Sequence, residues 1–204
     1  MGTDPTQESG KQISVMGYRL DVCQALFFLL MLIHGSVVLT TFKKYGVNPD
    51  EAGHIDYDHS IVLWYQSLSQ FRGIFSRINI WLYEGLYDTI VHLITRISPL
   101  RLHDTRHLCN ALVGMGGVWG AYKLGGLFEK RWIGLLAALF SMLTPRYYGH
   151  SFINHKDIPF AVTHLWSLYF IIKAVERLPQ LSPRMILALG LSIGISLGSS
   201  LEEI

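Results

Sequence analysis

VCQALFFLLMLIHGSVVLTTF, residues Val22 to Phe42, runs for 21 positions without an Asp, Glu, Lys or Arg. At about 1.5 Å per residue the run reaches roughly 30 Å, the thickness of a bilayer's hydrocarbon core. This one stretch makes the chain a membrane protein. The composition agrees: half of the 204 residues are apolar, 16% are charged, and the mean hydropathy is +0.31. An average soluble domain carries roughly 25% charge. The segment ahead of the run, Met1 to Tyr18, is polar. The run is too long for a signal-peptide core and lacks a clear small-residue cleavage site, so it reads as an uncleaved anchor behind a tail of residues 1–21.

Working outward, four further apolar stretches follow, Leu108 to Tyr122, Trp132 to Thr144, Ile158 to Ile172 and Met185 to Leu201, of 15, 13, 15 and 17 residues. The 13-residue stretch is the weakest, because runs of about 10 to 14 also fit re-entrant or buried core helices. Lys123 and Lys173 can snorkel to headgroups, and Tyr122, Trp132, Trp166 and Tyr169 are aromatics suited to the interface. The fold class expected is therefore all-α: a polytopic membrane protein with about five transmembrane helices. Lys123, Lys130 and Arg131 follow the second span, and Lys173, Arg177 and Arg184 follow the fourth, while only Arg146 and Lys156 follow the third. The positive-inside bias then puts the N-terminus in the cytoplasm and the segments holding Asp50 and Asp157 outside. The first helix alone gives no preference, with Lys11 and Arg19 at one end balanced by Lys43 and Lys44 at the other.

A long first external loop, about residues 43–107, is aromatic-rich and carries Ile78, Leu82, Leu86, Ile90, Leu93, Ile94 and Ile97 at spacings of three and four. That is the mark of an amphipathic helix lying in the interface, ended by Pro99. Gly116 and Gly120 form a small-xxx-small spacing that suits close helix packing, not a nucleotide loop. A formal charge of +2 offers no basic field for nucleic acid. Cys23 and Cys109 sit in or beside apolar runs, as small hydrophobes do.

The chemistry belongs to the outward segments. Asp50 and Glu51 stand where a lipid-borne substrate's headgroup meets water, and partial desolvation there makes a carboxylate a better general base. The plainer reading is a solvated pair. The segment Pro145 to Pro159, PRYYGHSFINHKDIP, is denser. Arg146 and Lys156 suit an anionic phosphate, one as a fork and one as a point charge, with His150 and His155 as further substrate-binding groups. Asp157 stands at the start of the next helix, where capping and the dipole also favour an acid. The histidines argue against a metal centre. His54 and His59, like His150 and His155, are five apart, whereas ligands on one helical face recur at three or four. His34 and His164 read as satisfied residues within spans.

Five segments together carry a resemblance: YGVNPDEAGHI (Tyr45 to Ile55), YEGLYD (Tyr83 to Asp88), RHLCNAL (Arg106 to Leu112), PRYYGHSF (Pro145 to Phe152) and HKDIPFA (His155 to Ala161). In order and topology the chain resembles the N-terminal part of the bacterial membrane glycosyltransferases related to protein O-mannosyltransferases and the aminoarabinose transferase. The resemblance covers roughly Leu26 to Gly198.

What it implies is a GT-C type fold, residues 22–204 forming the N-terminal part of the membrane domain. It implies a multi-pass protein of the bacterial inner membrane, which moves a sugar from a polyprenyl-phosphate donor to an acceptor on the external face. Asp50 matches the family's acidic base, with Glu51 as the alternate. Asp157 matches the second acidic position, which orients the acceptor or a divalent cation. Lys156 and Arg146 neutralise the leaving phosphate. No organic cofactor is implied, and the partners are the lipid-linked donor and membrane lipid. Family members continue through more helices, so the ending Ser199-Ser200-Leu201-Glu202-Glu203-Ile204 is expected to mark a truncated product, inactive as a fragment. The competing class is a non-catalytic lipid-phosphate-binding or adaptor membrane protein.

Overall fold

The structure is a computed structural model that describes residues 12–15, 18–67, 85–128 and 130–198. The chain is helical; strands among the described residues are confined to a short antiparallel hairpin of β1 (Gln12–Val15) and β2 (Tyr18–Asp21) ahead of the first helix. Among the described residues eight α-helices follow: α1 (Val22–Thr41), α2 (Pro49–Gln66), α3 (Gly85–Ile97), α4 (Leu102–Gly125), α5 (Arg131–Leu143), α6 (Pro145–Ile153), α7 (Asp157–Val175) and α8 (Pro183–Gly198).

The apolar run that opens the sequence is α1, extended by a single 3-10 turn over Phe42–Lys44. Phe27, His34 and Val38 line its buried face, while Phe28, Leu29, Leu32, Ile33 and Leu39 are exposed, as lipid-facing side chains are. Among the described helices, Val22–Lys44 and α7 are long and apolar enough to cross a membrane on their own; α5 and α8 are apolar but shorter.

α4 is the axis of the bundle. Its Ala111 packs with Val38, Phe42 and Phe152, and its Val118 with Phe27 and Ala138. Its glycines bring neighbours close: a Cβ on Gly117 would run into the Tyr147 hydroxyl, one on Gly120 into Leu165, and one on Gly125 to within 2.9 Å of the Gly134 backbone. Gly116 and Gly120 serve α7, since the Gly116 carbonyl accepts from Trp166 Nε1 at 3.1 Å.

The segment after α5 departs from the sequence reading. Residues 145–153, taken there as the start of a loop, form α6. Pro145 has no N–H to give and fits the first position of a helix, so the chain breaks at Thr144 and starts again. Both halves run along α4. Gly134 lies on Gly125, Tyr147 Oη donates to the Gly114 carbonyl at 2.7 Å, and Asn110 Nδ2 donates to the His150 carbonyl at 3.2 Å. At about 1.5 Å per residue the broken helix from Arg131 to Ile153 spans roughly the hydrocarbon core, which the 13-residue run of α5 cannot do alone.

The amphipathic stretch expected from Ile78 to Ile97 is described only from Gly85, as α3; Ile78 and Leu82 lie outside the described residues. Leu86, Ile90, Leu93, Ile94 and Ile97 form its exposed apolar stripe, and Asp88 and Val91 its buried side. α3 packs on α2 and α4.

Candidate active site

α2 starts where its sequence says a helix should. The Asn48 side chain accepts from the Asp50 N–H at 3.4 Å, Pro49 takes the first position, and Asp50 and Glu51 fill the first turn, where the dipole favours acids. The helical turn then parts the two carboxylates. Asp50 is exposed, and Glu51 points inward with 1% of its surface accessible.

Glu51 meets α4 there. Its Oε1 accepts from His103 Nδ1 at 2.8 Å and its Oε2 from His107 Nε2 at 3.4 Å. Burial alone would raise the Glu51 pKa, but the bonds from His107 and His103 outweigh it and hold the carboxyl down at about 2.

Arg106 lies between those two histidines and is fully buried. Its Nη1 donates to Asp58 of α2 at 2.6 Å and its Nη2 to Asp88 of α3 at 2.9 Å, and its Nε is 3.9 Å from Glu51. Each aspartate has a second partner. Asp58 Oδ1 takes His92 Nδ1 at 2.8 Å, and Asp88 Oδ2 takes His54 Nδ1 at 2.7 Å. Burial depresses the His54 pKa, but Asp88 reverses the direction and raises it. So α2 offers a His and an Asp four apart, α3 an Asp and a His four apart, and the two pairs cross-link around one guanidinium. This network clamps α2 and α3 onto the first turns of α4.

The second segment comes in from α6. Asn154 Oδ1 accepts from the N–H groups of Lys156, at 3.2 Å, and Asp157, at 2.9 Å, so Asn154 caps α7. Asp157, which the sequence placed at that cap, is the helix's first residue; it is exposed and accepts from Asn154 Nδ2 at 2.8 Å. The same amide reaches His150 Nδ1 at 2.9 Å. Asn110, buried on α4, donates to the carbonyls of His150 and Asn154 and accepts from Tyr87 Oη at 3.2 Å, joining α3 to this corner. His155 is buried, with its ring 6.1 Å from that of His107. Burial, helped by Arg106, lowers its pKa to about 4, and its Nε2 has no hydrogen-bond partner among the described residues.

The two segments touch. Tyr45 stacks on Phe152 at 4.0 Å, and Asn48 Nδ2 donates to the Ile153 carbonyl at 3.5 Å. Asp50, Glu51, His150, His155, Lys156 and Asp157 therefore gather at one end of the bundle. Arg146 does not join them. It is exposed at the far end of α6, beside Tyr147, which packs at the level of Gly114 and Gly117, while Lys156 follows the near end. At about 1.5 Å per residue, α6 holds the two cations roughly 12 Å or more apart along its axis. Among the described residues no group of three or more His, Cys, Asp or Glu is placed to hold a metal ion.

Sequence reasoning gave no role to Asp58, His92 and His103, nor to Asp88, Arg106 and His107, which it held only as parts of the YEGLYD and RHLCNAL segments. A signal was available: His54 and Asp58, Asp88 and His92, and His103 and His107 are each four apart.

Helices apolar enough for lipid, gathered under a corner of buried ion pairs and exposed carboxylates, define an integral-membrane protein whose polar chemistry is at one end. Residues 88–202, more than half of the chain, match the family model described as dolichyl-phosphate-mannose-protein mannosyltransferase, and the chain belongs to that family. It is a family of membrane glycosyltransferases that use lipid-phosphate-linked sugar donors. The match takes in α3 from Asp88 onward, α4 to α8 and every site residue from Asp88 onward; α2, with Asp50 and Glu51, precedes it. No curated protein and no solved structure matches the chain.

Proposed function

We propose that this chain folds as the membrane domain of a GT-C type glycosyltransferase. It crosses the bacterial inner membrane five times, through α1, α4, the α5–α6 pair, α7 and α8, with its N-terminus in the cytoplasm. It transfers a sugar from a polyprenyl-phosphate donor to an acceptor on the external face. The observation that carries this reading is the contact between residues 45–51 and 152–157, which gathers an exposed carboxylate, a second carboxylate and a lysine at the end of lipid-facing helices.

In this reading Asp50 takes the proton of the acceptor hydroxyl as its oxygen bonds to the sugar's anomeric carbon, and the bond from that carbon to the phosphate oxygen breaks. The polyprenyl phosphate leaves with the electron pair, and Lys156 offsets the charge that grows on it. Asp157, fixed by Asn154, orients the acceptor. Glu51 is the anchor of the base rather than its substitute, because both of its oxygens are committed to α4 histidines. His150 and His155 line the corner behind these groups. Arg146, at the other end of α6, stands apart from this corner.

The test is transfer of a labelled sugar from a polyprenyl-phosphate donor by proteoliposomes carrying the chain, beside binding of the polyprenyl phosphate alone. Asp50→Asn should lower transfer by about 100-fold or more while leaving the unfolding temperature unchanged. Lys156→Ala should weaken lipid-phosphate binding. A chain that neither transfers sugar nor binds the lipid phosphate, or an Asp50→Asn variant that transfers normally, sinks the reading.

A further inference from the structure

Away from Asp50 and Asp157, a cleft of about 390 Å³ opens between α2, α3 and the start of α4. Ile55 and Leu102 supply its apolar wall, and His59, His92, Thr95 and Arg96 supply hydrogen-bonding groups. Asp56 and Asp58 line it too; Asp58 is held by Arg106 and His92, and Asp56 has an interaction of its own.

His92 is oriented by that arrangement. Its Nδ1 serves Asp58, and its Nε2 accepts from Arg96 Nε at 3.3 Å. Arg96 is thus fastened by its Nε, which leaves the two terminal amino groups of an exposed guanidinium with no carboxylate partner among the described residues. The ring of His59 stands 6.0 Å from that of His92, also exposed and without a hydrogen bond among them. A guanidinium with both amino groups unspent, next to an imidazole donor, suits the oxygens of a phosphate.

Depth points to the source of that phosphate. Leu93 and Ile97 belong to the exposed apolar stripe of α3, and Arg96 borders them. A helix that lays such a stripe into acyl chains holds the residues at its edge among the headgroups. We propose that the cleft is a phosphate-group site, distinct from the Asp50 corner, in which Arg96 and His59 take the headgroup phosphate of a membrane phospholipid and seat the α2–α3 pair on the bilayer.

The test uses the full chain in neutral detergent micelles, with the ring resonances of His59 and His92 followed by NMR during titration. Dioctanoylphosphatidylglycerol is expected to shift both rings saturably, and dioctanoylglycerol, which lacks the phosphate, is not. Arg96→Gln should weaken the response by about tenfold or more, His59→Gln should weaken it less, and Lys130→Gln, at the opposite end of the bundle, should leave it unchanged. All three positions are exposed, so the variants keep the fold. Inorganic phosphate that binds as tightly as the lipid would keep the phosphate site and assign it to free phosphate. No shift with either phosphate probe, or an Arg96→Gln protein that responds like the wild type, overturns the proposal. Sugar transfer is not among the readouts, so failure here is separate from failure of the glycosyltransferase reading.

Discussion

Replacing Arg106 by Met removes the one guanidinium that Asp58 and Asp88 share, while keeping a long side chain in the space. The two bonds lost, of 2.6 and 2.9 Å, are both charge-assisted and fully buried. Hydrogen bonds to charged groups are worth roughly 1.5–3 kcal/mol each, and removing one partner of a buried ion pair costs roughly 3–5 kcal/mol, so the expected loss is about 4 kcal/mol. The histidines cannot absorb it, because His92 and His54 already hold the other oxygen of each aspartate. For a chain of this size such a loss is a drop of roughly 8–16 °C in unfolding temperature. Thermal unfolding of the purified protein in detergent, followed by helical circular dichroism, measures it. The diagnostic variant is the triple Arg106→Met, Asp58→Asn, Asp88→Asn. It leaves neither aspartate as an unpaired buried charge, with Glu51 keeping its two histidine bonds, and should recover more than half of the loss, which it could not do if the cost were only a packing defect. A single variant within about 2 °C of the wild type, or a triple variant no better than the single, refutes the reasoning.

Gly117→Val forces a side chain into Tyr147 and Val162 at the α4–α6–α7 crossing, and should destabilise by about 1–3 kcal/mol, read as the same thermal shift. Asn110→Leu strips the bonds to Tyr87, His150 and Asn154; it should cost about 2–4 kcal/mol and speed proteolysis of the segment around 154–157. In acid, His155 and Glu51 act in the same direction. A histidine held near pKa 4 in the fold takes up a proton more readily unfolded, so its contribution is lost as the pH falls from about 6.5 to 4. Glu51, held at about 2, loses its contribution as the pH falls from about 4.5. His54 opposes them, since its raised pKa adds stability below its unfolded value and loses it as the pH rises through the folded one. His155→Asn should therefore flatten the stability profile between about pH 6.5 and 4, and an unchanged profile counts against a neutral, buried His155.

The positions of α1, α4, α5, α7 and α8 were legible as apolar runs, because the signal of a lipid-facing helix is simply the absence of charge. α6 was not, because PRYYGHSFI reads as a loop: it holds Pro, Gly, Arg and His and has no apolar stripe of its own. What makes it helical is tertiary. Gly114 and Gly117 of α4 leave room for Ser151 and Tyr147, and the Tyr147 hydroxyl is satisfied by a carbonyl that only this packing presents. The start of α4 was hidden for the opposite reason. Leu102 to Asn110 carries so much charge that it resembles a solvated linker, yet Thr105, Arg106, His107 and Asn110 are all buried: Arg106, His107 and Asn110 meet partners from α2, α3 or α6, and the Thr105 hydroxyl bonds to Ser98 in the preceding turn.

Asp50 and Glu51 show why the site was only half readable. The sequence offers two adjacent carboxylates with nothing to rank them, and ranking depends on which one the helical turn points at α4. Glu51 falls on the face turned to His103 and His107 of α4, so it becomes a dry anchor held ionised by their bonds. Asp50, about 100° further round the helix, is left in water at the mouth of the corner. A base that must approach a hydroxyl benefits from a fixed backbone under a free side chain. The neighbour supplies the fixing: the bonds that hold Glu51 also hold the first turn of α2 in place beside Ile153 and Asn154. In the proposed reading, Glu51→Gln should accordingly lower sugar transfer through the placement of Asp50, measured with the same proteoliposomes.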